Sequence, residues 1–183
     1  YEAETIRNLA KLFDVGLITK KLKVVHWSYG ARTALAEAEV EYDDHDTTAV
    51  TVSFKIQSVS NASIKHPQNC YALAWTTTPW TLPSNTALCV GPDIDYVLID
   101  TFNQYTHLPV KIVLAKALIN SVLSKGYNAV ASIDELKQYQ AGDKEIPYLV
   151  LDNCKGHELK GIKYEQLLPY ALPDENPDKA FQV

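Results

Sequence analysis

"CYALAWTTTPWTLPSN", residues 70–85, starts as an apolar strand and ends as a run of hydroxyls, indoles and prolines. Extended geometry puts Tyr71, Leu73, Trp75 and Thr77 on one face and Ala72, Ala74, Thr76 and Thr78 on the other. The second face is small and then hydroxylated, which leaves room for a ligand. Pro79 must end the strand, because proline lacks the ladder donor and restricts Thr78 to extended backbone. Two readings stand side by side. Threonine favours sheets, so the stretch can be a packed strand whose tryptophans fill a core. The rigid turn Pro79-Trp80-Thr81-Leu82-Pro83, followed by Asn85, instead fixes the backbone where the rim of a pocket needs fixing. Between Pro67 and Pro92 there is no Asp, Glu, Lys, Arg or His, so such a pocket is neutral. Threonine hydroxyls and an asparagine amide can orient a water but take its proton poorly, so a hydrolytic base has to come from another segment.

The neighbouring segments also read as strands. "TALCV" and "DYVLID" flank the Gly91-Pro92 turn, and "VKIVLA" is a further apolar strand. "KALINSVLSKG" predicts a short helix stopped by Gly126, and 133–139 one helical turn or two. "PYLVLD" and "HELKGIKY" predict a closing hairpin, and Pro169, Pro173 and Pro177 then mark a loop or boundary. Upstream, Ala36, Ala38, Val40 and Tyr42 alternate with Glu37, Glu39 and Glu41. Beyond the polar "DDHDTT" turn, Val50, Val52, Phe54 and Ile56 alternate in the same way, so the two runs predict a long antiparallel hairpin with one wet face. Nearer the start, Ile6, Leu9, Ala10, Phe13 and Leu17 recur at helical spacing, predicting a helix over about residues 3 to 15 with a left-handed cap at Gly16. "LKVVHW" then predicts a short buried strand. The expected class is mixed α/β, rich in β, with few helices.

Composition narrows the function. An apolar fraction of 46% and a charged fraction of 21% belong to an ordinary globular protein. The net charge of -5 argues against general binding of polyanions, though a local patch can still contact RNA. Cys70, Cys89 and Cys154 form no CxxC pair, which suggests neither a disulfide framework nor a zinc site and fits a reducing, intracellular compartment. No signal peptide or bilayer span is evident. Asn61-Ala62-Ser63 matches a glycosylation sequon and, without a secretion signal, reads as a polar loop. Methionine is absent, even at position 1, so a piece of a longer chain is expected.

Other candidate chemistry falls away. His26, His45, His66, His107 and His157 show no metal-ligand spacing, and Asp43, Asp44 and Asp46 lack the glycine and distal glutamate of a calcium loop. Glu37, Glu39 and Glu41 line one strand face instead of converging. There is neither a phosphate loop nor a GxSxG elbow.

"AWTTTPWTLPSNTAL" closely resembles the threonine-rich signature in the editing domain of bacterial-type isoleucyl-tRNA synthetases. "VHWSYGARTALAEAEVEY" resembles the segment that leads from their nucleotide-binding core into that inserted domain, and "HELKGIKYEQLLPY" resembles a later hairpin. The valyl and leucyl enzymes are less similar, since they carry an arginine after the threonines where this chain has Thr78-Pro79-Trp80.

The resemblance implies a barrel-like editing domain over 36–183, incomplete at its C-terminal end, and a helix–strand strip of the catalytic core over 1–35. It implies that the domain hydrolyses misactivated valine or valine mischarged onto isoleucine tRNA. The implied partners are the tRNA 3′ end, valine or valyl-adenylate, and the rest of the synthetase, without a membrane and in the cytoplasm. Trp75, Thr76, Thr77, Thr78, Pro79, Trp80 and Asn85 would bind substrate, with Thr77 or Thr78 orienting water or setting the size limit. No metal or cofactor is expected in this chain; ATP and Mg²⁺ are expected of the full-length ligase. A GTGxVHxAPxHGxxD-type segment that completes such sites is missing here, as are the HIGH and KMSKS signatures of synthesis, so this span alone is expected to be inactive or weak. The alternatives are a module that binds aminoacyl-adenosine or the tRNA end without catalysis, and a free-standing deacylase.

Overall fold

The computed structural model describes residues 1–58 and 68–183. The sequon at 61–63 and His66 lie outside the described residues. The chain divides into two compact units, Tyr1–Asp46 and Thr47–Val183.

In the first unit the expected helix forms as α1 (Glu2–Asp14), with acidic Glu2 and Glu4 in its first turn, where they complement the helix dipole. Gly16 follows at φ +76°, a backbone conformation that glycine adopts at little cost. "LKVVHW" does not form the expected buried strand. Leu22 and Val24 are fully exposed, and the strand shrinks to Trp27–Ser28 (β1), paired with Thr33–Ala34 (β2). β-branched residues stay extended only where a neighbouring strand takes up their backbone groups. The alternating run at 36–42 is not a strand either. The Glu39 carboxylate accepts from the Ala36 N–H at 2.7 Å and closes Glu37–Glu39 into a 3-10 turn, so the local helical preference of Ala and Glu prevails.

The second unit is built on a seven-stranded mixed sheet. Its strands are β3 (Val50–Ser58), β4 (Cys70–Thr76), β5 (Asp95–Phe102), β6 (Pro109–Ala115), β7 (Tyr127–Ala129), β8 (Ile146–Lys155) and β9 (Lys163–Tyr164). They lie in the order β7-β8-β5-β6-β4-β3-β9. The pairs β4/β6 and β7/β8 are parallel and the others antiparallel. The fold is thus mixed and strand-rich, as expected. Among the described residues the sheet stays open and does not close into a barrel, since β7 and β9 are its two edges.

β5 and β6 are apolar on both faces because both are covered. Leu98 and Val113 join Ile56, Cys70, Leu159 and Ile162 on one side, while Val97, Ile99, Ile112 and Leu114 pack with Leu123 on the other. The helices are short: α2 (Ile119–Val122), which ends before Gly126 at φ +76°, and α3 (Ile133–Leu136), capped by the Ser132 hydroxyl. No helix among the described residues is long and apolar enough to cross a membrane.

Three expected pairings change. β3 pairs with β4 and β9, not with residues 36–42. "PYLVLD" extends into β8 between β5 and β7, whereas "HELKGIKY" folds as a 3-10 turn at Gly156–Leu159 followed by β9 against β3, so the closing hairpin is absent. The apolar flanks of β5 and β3 need cover more than the two segments need each other. "TALCV" contributes only a single bridge, Ala87 to Gln182.

A neutral cleft at the end of the β3–β4 pair

Antiparallel register sets Val52 opposite Ala74, Phe54 opposite Ala72 and Val50 opposite Thr76. Residues so paired share a sheet face. Ala74 faces Val52, and the missing bulk leaves a cleft of about 440 Å³. Val52, Phe54, Ala74 and Thr76 form its floor. The chain from Thr81 to Leu88 arches over it, contributing Thr81, Leu82, Ser84, Asn85, Thr86, Ala87 and Leu88. Among these described lining residues none has an ionisable side chain.

Hydroxyls stiffen the turn into the arch. The Thr78 N–H donates to Thr76 Oγ1 at 3.0 Å, and the two hydroxyls lie 3.2 Å apart. Thr81 Oγ1 donates to the Thr78 carbonyl at 2.8 Å, which commits its only proton. It is therefore an acceptor toward the Thr78 hydroxyl, 3.4 Å away. Pro79 opens a 3-10 turn, Pro79–Ser84, where its missing N–H costs nothing.

Asn85 ends the turn and is tied down on both sides. Its Nδ2 donates to the Ala87 carbonyl at 3.0 Å, and its Oδ1 accepts from the Tyr164 hydroxyl at 2.7 Å. Tyr164 is 2% exposed, and burial pushes its phenol up to about 12, the bond to Asn85 opposing the shift. Its ring meets Phe54 edge-on at 5.3 Å and Phe181 at 6.1 Å. Phe181 and Gln182 brace the arch from outside: the Phe181 N–H donates to the Thr86 carbonyl and the Leu88 N–H to that of Gln182.

Of the residues singled out in the sequence, the structure brings Thr76 and Asn85 to the cleft and links Thr78 to Thr76 through the hydroxyl bonds. Thr77 offers its carbonyl to the Thr47 hydroxyl at 3.4 Å. Strand alternation turns Trp75 to the opposite face, and Trp80 projects from the turn. Both are about two-thirds exposed, and neither indole nor Pro79 lines the cleft. Ala74 was legible as the small partner of Thr76. Val52, Phe54 and Tyr164 were not, since they depend on pairings that local pattern does not encode.

The model of the family described as tRNA synthetases class I (I, L, M and V) matches residues 1–163. The chain belongs to that family. It is 42% identical over 179 residues to an isoleucine–tRNA ligase of Bacteroides fragilis, covering 96% of this chain and 15% of that protein. Similarity to the isoleucine–tRNA ligase of Cytophaga hutchinsonii is 45% over 171 residues, 91% of this chain and 14% of that protein. A probable mitochondrial isoleucine–tRNA ligase of Dictyostelium discoideum is 34% identical over 172 residues, covering 88% and 15%. The chain therefore spans about one-seventh of the length of these class I relatives.

Proposed function

We propose that the chain is part of an isoleucine–tRNA ligase and that the cleft under Asn85 is its editing site, where valine is hydrolysed from misactivated or mischarged intermediates. The need is physical: one methylene is worth only about 1–3 kcal/mol in a hydrophobic pocket, a general limit for which isoleucine against valine is itself the standard example. A second site that admits valine and excludes isoleucine repairs the shortfall. A floor of Val52 and Ala74 suits a small branched side chain, while Thr76 and Asn85 offer hydrogen bonds to its ester or to an attacking water.

The observation that carries this reading is the neutral cleft with a doubly anchored asparagine at its rim, in a chain similar to isoleucine–tRNA ligases along almost its whole length. Its substrates are valyl-adenylate or the valylated 3′ end of isoleucine tRNA. Residues 1–35 belong to the strip of catalytic core and 36–183 to the editing insertion. ATP, Mg²⁺ and the cytoplasmic setting belong to the complete ligase. Thr77 or Thr78 orients water or sets the size limit. An acid or base is supplied from elsewhere in the complete protein, because hydroxyls and an amide orient a water without deprotonating it.

That neutrality also favours a second reading, in which this span binds the aminoacyl-adenosine end and hydrolyses nothing. A structure of the full-length protein with a non-hydrolysable valyl-adenosine amide tests the site. The valine side chain is expected between Val52 and Ala74, within reach of Thr76 and Asn85. A ligand bound away from these residues removes the assignment.

A further inference from the structure

Asn85 can be useful in the cleft only if its amide faces one way. The Ala87 carbonyl is purely an acceptor, so the group 3.0 Å from it must be Nδ2. Rotating the amide by half a turn would set two acceptors against each other there. It would also put the NH₂ against the Tyr164 oxygen, leaving the phenol proton without the acceptor it now has at 2.7 Å. A buried polar group stripped of its partner is costly, so both ends of the amide favour the same orientation.

The arithmetic of the amide then follows. Nδ2 has two protons and spends one on Ala87; Oδ1 has two lone pairs and spends one on Tyr164. One donor and one acceptor remain on a side chain that lines the cleft.

Tyr164 is built to hold still. Its ring is held edge-on by Phe54, itself part of the cleft floor, and by Phe181. Its backbone N–H donates to the Phe181 carbonyl at 2.9 Å, and the next residue is clasped to β3 by the Lys55–Glu165 ion pair at 2.8 Å. Tyr164 thus reaches Asn85 from a strand far away in sequence, and its phenol is fixed before any ligand arrives.

We propose that Tyr164 is a positioning residue: its buried hydroxyl locks the Asn85 amide so that one N–H donor and one carbonyl lone pair face the ligand in the cleft. The inference rests on the editing reading for the identity of that ligand, an aminoacyl ester, but not for the lock itself. Preorganised polar groups act strongly because they need no reorganisation when the ligand reacts.

The test is Tyr164→Phe in the full-length ligase, with Asn85→Ala and the double variant to complete a cycle. Phenylalanine keeps the ring contacts and removes only the hydroxyl. A crystal structure of Tyr164→Phe is expected to show the Asn85 amide shifted from the position in which the Tyr164 hydroxyl holds its Oδ1. Deacylation of valyl-tRNA by Tyr164→Phe should fall roughly three- to tenfold, the order of one lost hydrogen bond. Adding Tyr164→Phe to Asn85→Ala should cost nothing more, because a residue that acts through another has no effect once the other is gone. An amide that stays in place, or losses that multiply in the double variant, overturns the proposal. If the amide moves but Asn85→Ala leaves deacylation untouched, the lock stands and the editing reading fails.

Discussion

Two regions of the same sheet use β-strands in opposite ways. At its centre, β5 and β6 present Val97, Leu98, Ile99, Ile112, Val113 and Leu114, branched side chains buried on both faces. On the β3–β4 side, β4 sets Ala72 and Ala74 opposite Phe54 and Val52, and the face opens into a cleft. The backbone is alike in both regions, so the difference is one of side-chain volume. A packed sheet becomes a binding site where small residues stand opposite large ones and a rigid arch covers the gap. Thr76, where the alanines give way to threonine, is where the packed surface becomes a polar one.

Substitutions on the two sides should therefore behave differently. The largest change in stability is expected from Ile99→Ala, which empties a fully buried position and should cost about 2–5 kcal/mol in denaturant unfolding. A loss below about 1 kcal/mol would mean that the centre of the sheet is not packed as described.

Ala74→Leu, by contrast, fills a cleft instead of a core. Stability should change by no more than about 0.5–1 kcal/mol, while binding of the valyl-adenosine amide to the full-length protein is lost. If the amide binds equally well, the cleft is not its site.

A smaller effect separates the regions by pH. Tyr164 rises from its ordinary value of 10.0 to about 12 on folding, and Cys70, buried beneath the sheet face, from 9.0 to about 11. Both folded forms hold their protons more tightly than the unfolded chain does. Their contribution is complete below the unfolded values and is lost as pH rises through the folded ones. Unfolding midpoints should fall with pH in two overlapping windows, 9.0 to about 11 for Cys70 and 10.0 to about 12 for Tyr164. Tyr164→Phe should make the second decline shallower and leave the first, the remainder coming from Tyr127, whose phenol burial also raises, and an unchanged profile would contradict the buried phenol.

How much of this was legible follows from the range of the forces involved. β4, β5, β6 and the helix near the start were readable, because periodicity and proline act over a few residues. The strand proposed at 36–42 failed on an equally local detail, the Glu39 carboxylate closing on the Ala36 N–H. Partner choice was not readable: β3 could be recognised as a strand, yet that it meets β4 and β9 depends on residues remote in sequence. The same holds for the cleft. Thr76, Thr78 and Asn85 stood out by their own chemistry, whereas Tyr164 and Phe54 matter only because folding carries them to Asn85 and Ala72.

The central claim is that the Asn85 side of the cleft edits valine, and the most direct measurement is deacylation of valyl-tRNA(Ile) by the full-length ligase with and without Asn85→Ala. Removing a positioned donor from a site of this kind typically lowers the rate roughly a hundredfold or more, and a loss of that order is the predicted result. Clearance of valine at the unsubstituted rate would contradict it.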